Sequence, residues 1–267
     1  MAIATLLSVS GAPGVTTLSV AAALTWRRAS ILLEADTSKA SSVLPGFLRG
    51  QVDHSRGLTP LSIAQQRGSL TSSAVLEQAI ELAQDRFFVA GFSNPAAGAG
   101  ATALWSQLGT TLAAFESAGT DVVVDLGRYT PKDNRQALLQ VADSVLLVTG
   151  TQLPDIAAAA NRVPEIKALL TAAGHGNYLG IVLVRRGIED YSRAEIEKVL
   201  GAPVVGEIPD DAKTAATYSL GTSASSRQER SPFRRSLSAA LATITQQIDE
   251  RRAQLGARPT APQEVLA

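Results

Sequence analysis

The chain has 267 residues, 45% of them hydrophobic, with 24 basic and 24 acidic side chains and no net charge. That balance gives no global attraction to nucleic acid or anionic lipid, and the lack of cysteine excludes disulfides and thiolate metal sites. The first apolar run is strand-length with no basic segment before it, and no run is long enough to span a bilayer, so a cytoplasmic protein is expected.

Residues 3–9 read as a buried strand. The turn Ser10-Gly11-Ala12-Pro13-Gly14-Val15-Thr16-Thr17 follows, and then a small-residue helix over residues 18–27. Strand, loop and helix in this order aim backbone N–H groups and a helix N-terminus at an anion, as in a phosphate-binding loop. Thr16 and Thr17 stand where such a loop needs hydroxyls for Mg²⁺ and phosphate, and Val15 stands where it needs a lysine. Gly11, Ala12, Gly14, Val15, Thr16 and Thr17 are therefore candidate nucleotide-binding residues. The plainer account is a strand-to-helix turn in which the two threonines serve as caps.

A second strand is expected over residues 31–34, with Asp36 just beyond it, and helices over residues 61–66 and 72–82. Residues 87–90 form a weaker strand candidate, residues 91–100 a small-residue loop and residues 101–117 a helix. The strand over residues 122–126 holds Asp125. A helix at 134–141, a strand at 144–148, a helix at 153–172 and a strand at 179–184 follow. The rest reads as a helix at 193–200, a weaker strand at 203–206, a helix at 211–218, a mobile polar loop at 221–231 and a helix at 232–254. Residues 257–267 read as a disordered tail, which leaves one domain over residues 1–256.

Continuous apolar strands alternating with helices imply an α/β fold: a single doubly wound, mostly parallel sheet with helices on both faces. Ligands of such sheets bind at the carboxyl ends of the strands, where Asp36 and Asp125 fall. These acids have an ordinary alternative, capping a helix or pairing with Lys39 or Arg128. His54 and His175 fall in expected loops, and no metal site is expected of them. Arg27 with Arg28, and Arg227, Arg230, Arg234 and Arg235, read as solvated helix faces rather than a nucleic-acid surface.

Five segments in order carry a resemblance. They are the loop Ser10 to Thr17, Ile31-Leu32-Leu33-Glu34-Ala35-Asp36, Thr120-Asp121-Val122-Val123-Val124-Asp125, Ala142-Asp143-Ser144-Val145-Leu146-Leu147-Val148, and the stretch from Gly201 to Asp210. Over roughly residues 1–250 the chain resembles the MinD/ParA class of deviant Walker A P-loop ATPases. The resemblance implies ATP and Mg²⁺ as cofactors, with Asp36 orienting the attacking water and Thr16 and Asp125 on the Mg²⁺ side. It places Arg185, Pro209 and Asp210 at the nucleotide, Arg185 where the family has a base-contacting Asn. It also implies protein partners, a homodimer or a heterodimer with a related ATPase, and a role in partitioning, septum or polar positioning. The membrane-targeting helix that ends some relatives has no counterpart here.

The departures are selective. Ser10 aligns with the family's signature lysine, Val15 with its P-loop lysine, and Glu34 with the first acid of its D-x-D. Losing one charge-assisted hydrogen bond costs about 1.5–3 kcal/mol, or roughly one to two decades of affinity. Catalysis suffers more, because charge stabilisation is most of what a protein offers phosphoryl transfer. A weak or non-hydrolysing nucleotide-binding regulator or scaffold, a pseudo-ATPase, is therefore expected. One alternative is a slow but active ATPase using Arg128 or Arg185 as the substitute cation. The other is a Rossmann-type dinucleotide-binding protein with Glu34 or Asp36 on the ribose, although the third glycine of its fingerprint is missing.

Overall fold

The computed structural model describes residues 2–11, 13–115, 119–187, 191–254 and 256. Ala12 and the expected tail at 257–267 lie outside these.

The strands are β1 (Ile3–Ser8), β2 (Ser30–Glu34), β3 (Ile80–Ala83), β4 (Arg86–Val89), β5 (Asp121–Arg128), β6 (Ser144–Gly150), β7 (Leu179–Arg185) and β8 (Val204–Pro209). They form one sheet in the order β3-β4-β2-β5-β1-β6-β7-β8. All neighbours are parallel except β3 and β4. β1, β2, β5 and β6 are buried along nearly their whole length, which is why they read as unbroken apolar runs.

Alternate residues serve two cores. Ile3 and Leu7 of β1 join one apolar cluster, and Ala4 and Leu6 join the other. The helices α1 (Val15–Thr25), α2 (Leu58–Gln66), α3 (Ser72–Glu77), α4 (Pro95–Gly100), α5 (Leu104–Ala113) and α6 (Gln136–Gln140) come first. Then follow α7 (Leu153–Ala172), α8 (Arg193–Leu200), α9 (Ala212–Ser219), α10 (Ser226–Glu229) and α11 (Pro232–Gln254). α1, α9 and α11 cover one face, and α2, α3, α5, α6, α7 and α8 cover the other.

The doubly wound α/β expectation holds, with four local corrections. α1 begins at Val15 rather than residue 18, because burial of Val15 overrides the poor helix propensity of Val-Thr-Thr. The helix expected over 72–82 stops at Glu77, and residues 80–83 turn into β3. They pair antiparallel with β4 across a turn in which Asp85 is left-handed, at φ 57°. The loop at 91–100 contains α4, started by Asn94, whose side chain accepts from Ala97 N at 2.9 Å, and by Pro95 at the first turn. The polar loop at 221–231 contains the single turn α10, started by a capping box between Ser225 and Gln228.

The strand order also removes the Rossmann alternative. There β1 adjoins β2 in the order 3-2-1-4-5-6, whereas here β5 lies between them.

At the opposite end of the sheet Asp121 is a buried anchor. It accepts from Ala2 N at 2.7 Å and from Trp26 Nε1 at 2.8 Å, with Arg28 at 3.9 Å. Asp121→Ala leaves two buried donors unpaired and is expected to cost about 3 kcal/mol in a denaturant titration. A loss below about 1 kcal/mol would show that water replaces the carboxylate there.

Candidate functional site

The loop after β1 turns on two left-handed glycines, Gly11 at φ 58° and Gly14 at φ 86°. Gly14 caps α1, and its carbonyl accepts from Leu18 N at 2.9 Å. Val15 opens the helix and is 6% exposed, packed into the cluster that holds Leu6 and Leu18. The helix therefore presents N–H groups to the loop with no charged side chain at its first position. A cavity of about 560 Å³ lies over this end, lined by Gly11, Gly14, Thr16, Asp36, Lys39 and Arg128 among others. A Cβ at Gly14 would meet nothing within 4 Å, so the space beside the loop is open.

Three acids converge from β2 and β5, and each is held differently. Glu34 is structural: it accepts from Ser42 N at 2.9 Å and Gly91 N at 3.1 Å. Asp36 accepts at Oδ1 from Ser38 N at 2.9 Å and Ser38 Oγ at 2.6 Å. Its Oδ2 lies 3.6 Å from Lys39 Nζ. Asp125 is fully buried; Oδ1 accepts from Gly127 N at 3.0 Å, and Oδ2 has no hydrogen-bond partner among the described residues. Burial pushes the Asp125 carboxyl up to about 7, opposed by the Thr16 hydroxyl, reinforced by the charges of Glu34 and Asp36, and opposed again by Lys39.

β1 and β5 slip register between Leu6 and Leu7, so Leu6 faces Asp125 and Leu7 faces Gly127. Gly127 is left-handed at φ 62°, and a Cβ there would overlap the Asp36 carboxylate. The bulge thus seats Asp36 on the backbone just past Asp125.

A buried arginine holds these strand ends. Arg135, 3% exposed, donates from Nη1 to Ala35 O at 2.8 Å and Leu126 O at 2.5 Å, and from Nη2 to Arg128 O at 2.8 Å. Its Nε and Nη2 also bind the Asp133 carboxylate at 2.8 and 2.6 Å. Burial alone would raise the Asp133 carboxyl, but the Arg135 bonds and charge outweigh it and hold it below the usual range.

Arg128 donates from Nη2 to Gly11 O at 2.6 Å and so folds onto the loop itself. Arg185 is committed elsewhere: its Nε pairs with Glu207 at 2.6 Å, and its Nη1 donates to Tyr191 O at 3.3 Å. Its neighbour Arg186 instead lines a recess of about 120 Å³ with Pro13, Gly14, Thr17, Pro209 and Asp210. The structure thus brings together Gly11, Gly14, Val15, Thr16, Asp36 and, beneath them, Asp125. Thr17, Pro209 and Asp210 sit around the adjoining recess.

Sequence reasoning passed over Arg135 and Gly127, and met Lys39 only as a pairing partner for Asp36. Lys39 Nζ also donates to Thr16 Oγ1 at 3.3 Å, which puts a cation in the cavity. The loop suits an anion. Thr16 and the unpartnered oxygen of Asp125 suit a cation, but Lys39 already contacts Thr16. Among the described residues no group of three or more His, Cys, Asp or Glu side chains is arranged to hold a metal.

Two outcomes are expected. Asp125 takes up a proton on folding between its ordinary value of 3.8 and about 7. The stability it contributes is therefore complete below that window and lost as pH rises through it. Without ligand, the melting temperature of Asp125→Asn relative to the native chain should climb by several degrees from about pH 5 to about pH 8; a flat difference would contradict the raised value. Arg135→Met strands three carbonyls and the Asp133 carboxylate, and is expected to cost about 3–5 kcal/mol by denaturation.

No protein-family model matches the sequence, and no curated protein does. Solved structures match it in fold. The chain is similar to the septum site-determining protein MinD of Pyrococcus horikoshii OT3 complexed with Mg-ADP, at 16% identity and a TM-score of 0.67, covering 91% of this chain and 95% of that one. It is similar to a ParA family ATPase from Chlorobium tepidum TLS at 17% identity and a TM-score of 0.68, covering 90% and 97%. It also matches the MinC:MinD cell division protein complex of Aquifex aeolicus at 14% identity and a TM-score of 0.67, covering 99% and 98%. At these identities the likeness is one of architecture: the chain has the fold of the MinD/ParA-like P-loop NTPases.

Proposed function

We propose that this chain is a nucleotide-binding regulator or scaffold of the MinD/ParA kind, acting in partitioning, septum or polar positioning, and that it hydrolyses ATP slowly or not at all. The observation that carries this reading is Val15. The loop keeps its two left-handed glycines and its open cavity around a first helical residue whose side chain is sealed in the core. An apolar side chain at that point offers nothing to the charge that spreads over a transferring phosphoryl group.

Asp36 supports the same reading. Orienting an attacking water engages the carboxylate, and here Oδ1 is already bound by the Ser38 N–H and hydroxyl. Nucleotide binding is supported by the anion-directed loop and by the Mg-ADP complex of the Pyrococcus horikoshii protein. Gly11, Gly14, Val15, Thr16 and Thr17 form the phosphate cradle through backbone and hydroxyl groups, with Pro209 and Asp210 at the adjoining recess. Thr16 and Asp125 are the groups that would hold Mg²⁺, whose chemistry is to neutralise phosphate charge, once the Lys39 ammonium had left the Thr16 hydroxyl.

The fold's appearance in a MinC:MinD complex supports action through a protein partner; the partner proposed is a second copy or a related ATPase. Ser10 carries no charge, so a dimer of this chain is not tied to the partner's nucleotide through that position. No helix among the described residues is long and apolar enough to cross a membrane.

Calorimetric titration with ATP and ADP, with phosphate release followed on the same sample, tests the reading. Binding at millimolar affinity or tighter without release is expected. Release faster than that of Asp36→Ala would overturn the loss of hydrolysis, and no heat with either nucleotide would overturn nucleotide binding.

A further inference from the structure

We propose that the Lys39 ammonium is the resident cation of this site, so that the polyphosphate of a bound nucleotide is held by Lys39 without a divalent metal. This rests on the nucleotide reading above and adds to it the source of the positive charge.

The geometry carries the inference. Lys39 Nζ donates to Thr16 Oγ1 at 3.3 Å and lies 3.6 Å from Asp36 Oδ2. Thr16 belongs to the first turn of α1 and Asp36 to the end of β2, so the ammonium bridges the helix that would receive phosphate and the strand end that faces it. A hydrated Mg²⁺ would need these same oxygens, directly or through water. Below them lies the fully buried Asp125, whose Oδ2 has no hydrogen-bond partner among the described residues. This end of the sheet therefore carries three acidic side chains, of which Asp36 lines the cavity with Lys39 beside it.

The other cations suit the role less well. Val15 and Ser10 carry no charge, Arg185 is bound to Glu207, and Arg128 is folded onto Gly11 O. Lys39 is 45% exposed on a flexible stem and lines the cavity, so its ammonium can swing from Asp36 to a phosphate oxygen. A divalent ion would have to displace it first, against the repulsion of like charges.

The test is equilibrium binding of ATP to the full chain, by calorimetry and by thermal shift, in excess EDTA and again in millimolar Mg²⁺. The native chain is expected to bind in EDTA within about threefold of its affinity in Mg²⁺. Lys39→Met should lose about tenfold or more in EDTA and regain binding when Mg²⁺ is added, because the vacated oxygens accept the metal. Lys39→Arg should keep most of the metal-free binding. Melting curves without ligand check that both variants fold.

Native binding that requires Mg²⁺, a Lys39→Met variant that binds as the native chain does in EDTA, or a loss produced by Arg128→Ala alone would each overturn the assignment to Lys39 and leave nucleotide binding standing. No binding by the native chain in either buffer would overturn both.

Discussion

The carboxyl edge of the sheet depends on one buried guanidinium. Arg135 holds the carbonyls of Ala35, Leu126 and Arg128. Each belongs to, or directly adjoins, a residue that builds the site: Asp36 follows Ala35, Asp125 precedes Leu126, and Arg128 reaches the loop at Gly11. Parallel strands end in carbonyls with no further strand to bond them, and unpaired buried carbonyls are costly. A planar donor fork satisfies several of them at once, with Asp133 balancing its charge. The position of the acids is thus set by a group that takes no part in their chemistry.

Electrostatics at this edge are lopsided. Glu34, Asp36 and Asp125 lie close enough for the first two to act on the third. Each acid is treated differently: Glu34 by two backbone N–H groups, Asp36 by Ser38 and Lys39, and Asp125 by partial neutralisation through burial. Only Asp36 reaches the cavity wall. Side chains of one chemical type therefore have three separate fates, decided by depth and by nearby donors.

Most of the architecture was legible because buried parallel strands must be apolar on both faces. β1, β2, β5, β6 and β7 were visible for that reason, and α7, α8 and α11 as helix-length segments following or between them. β3 was not, because a four-residue edge strand with two exposed positions has little pattern, and its pairing is fixed by the left-handed turn at Asp85. α4 was hidden by its glycines and alanines, which read as a loop until Asn94 and Pro95 are seen to start a helix. At the site the strand-end acids and the loop glycines could be placed from sequence. Lys39 could not, because its importance comes from the chain folding back toward Thr16 after Asp36. The substitute cations considered from sequence were arginines, and the structure gives both of them other partners. Arg135 left no signal, because an isolated arginine before a short helix looks like any solvated residue.

Val15 also changes what holds the loop in shape. Where the first helical side chain is charged, it points to the ligand, and the bound anion helps to order the turn. Here that residue is a hydrophobic pin, inserted beside Leu6 and Leu18. The first turn of α1 is thereby anchored in the core, whether or not an anion is present. Such a helix start is a poor reporter of occupancy. Any difference between the empty and loaded protein has to be expressed by the segment after β2, where an exposed side chain, and not a packed one, makes the contact.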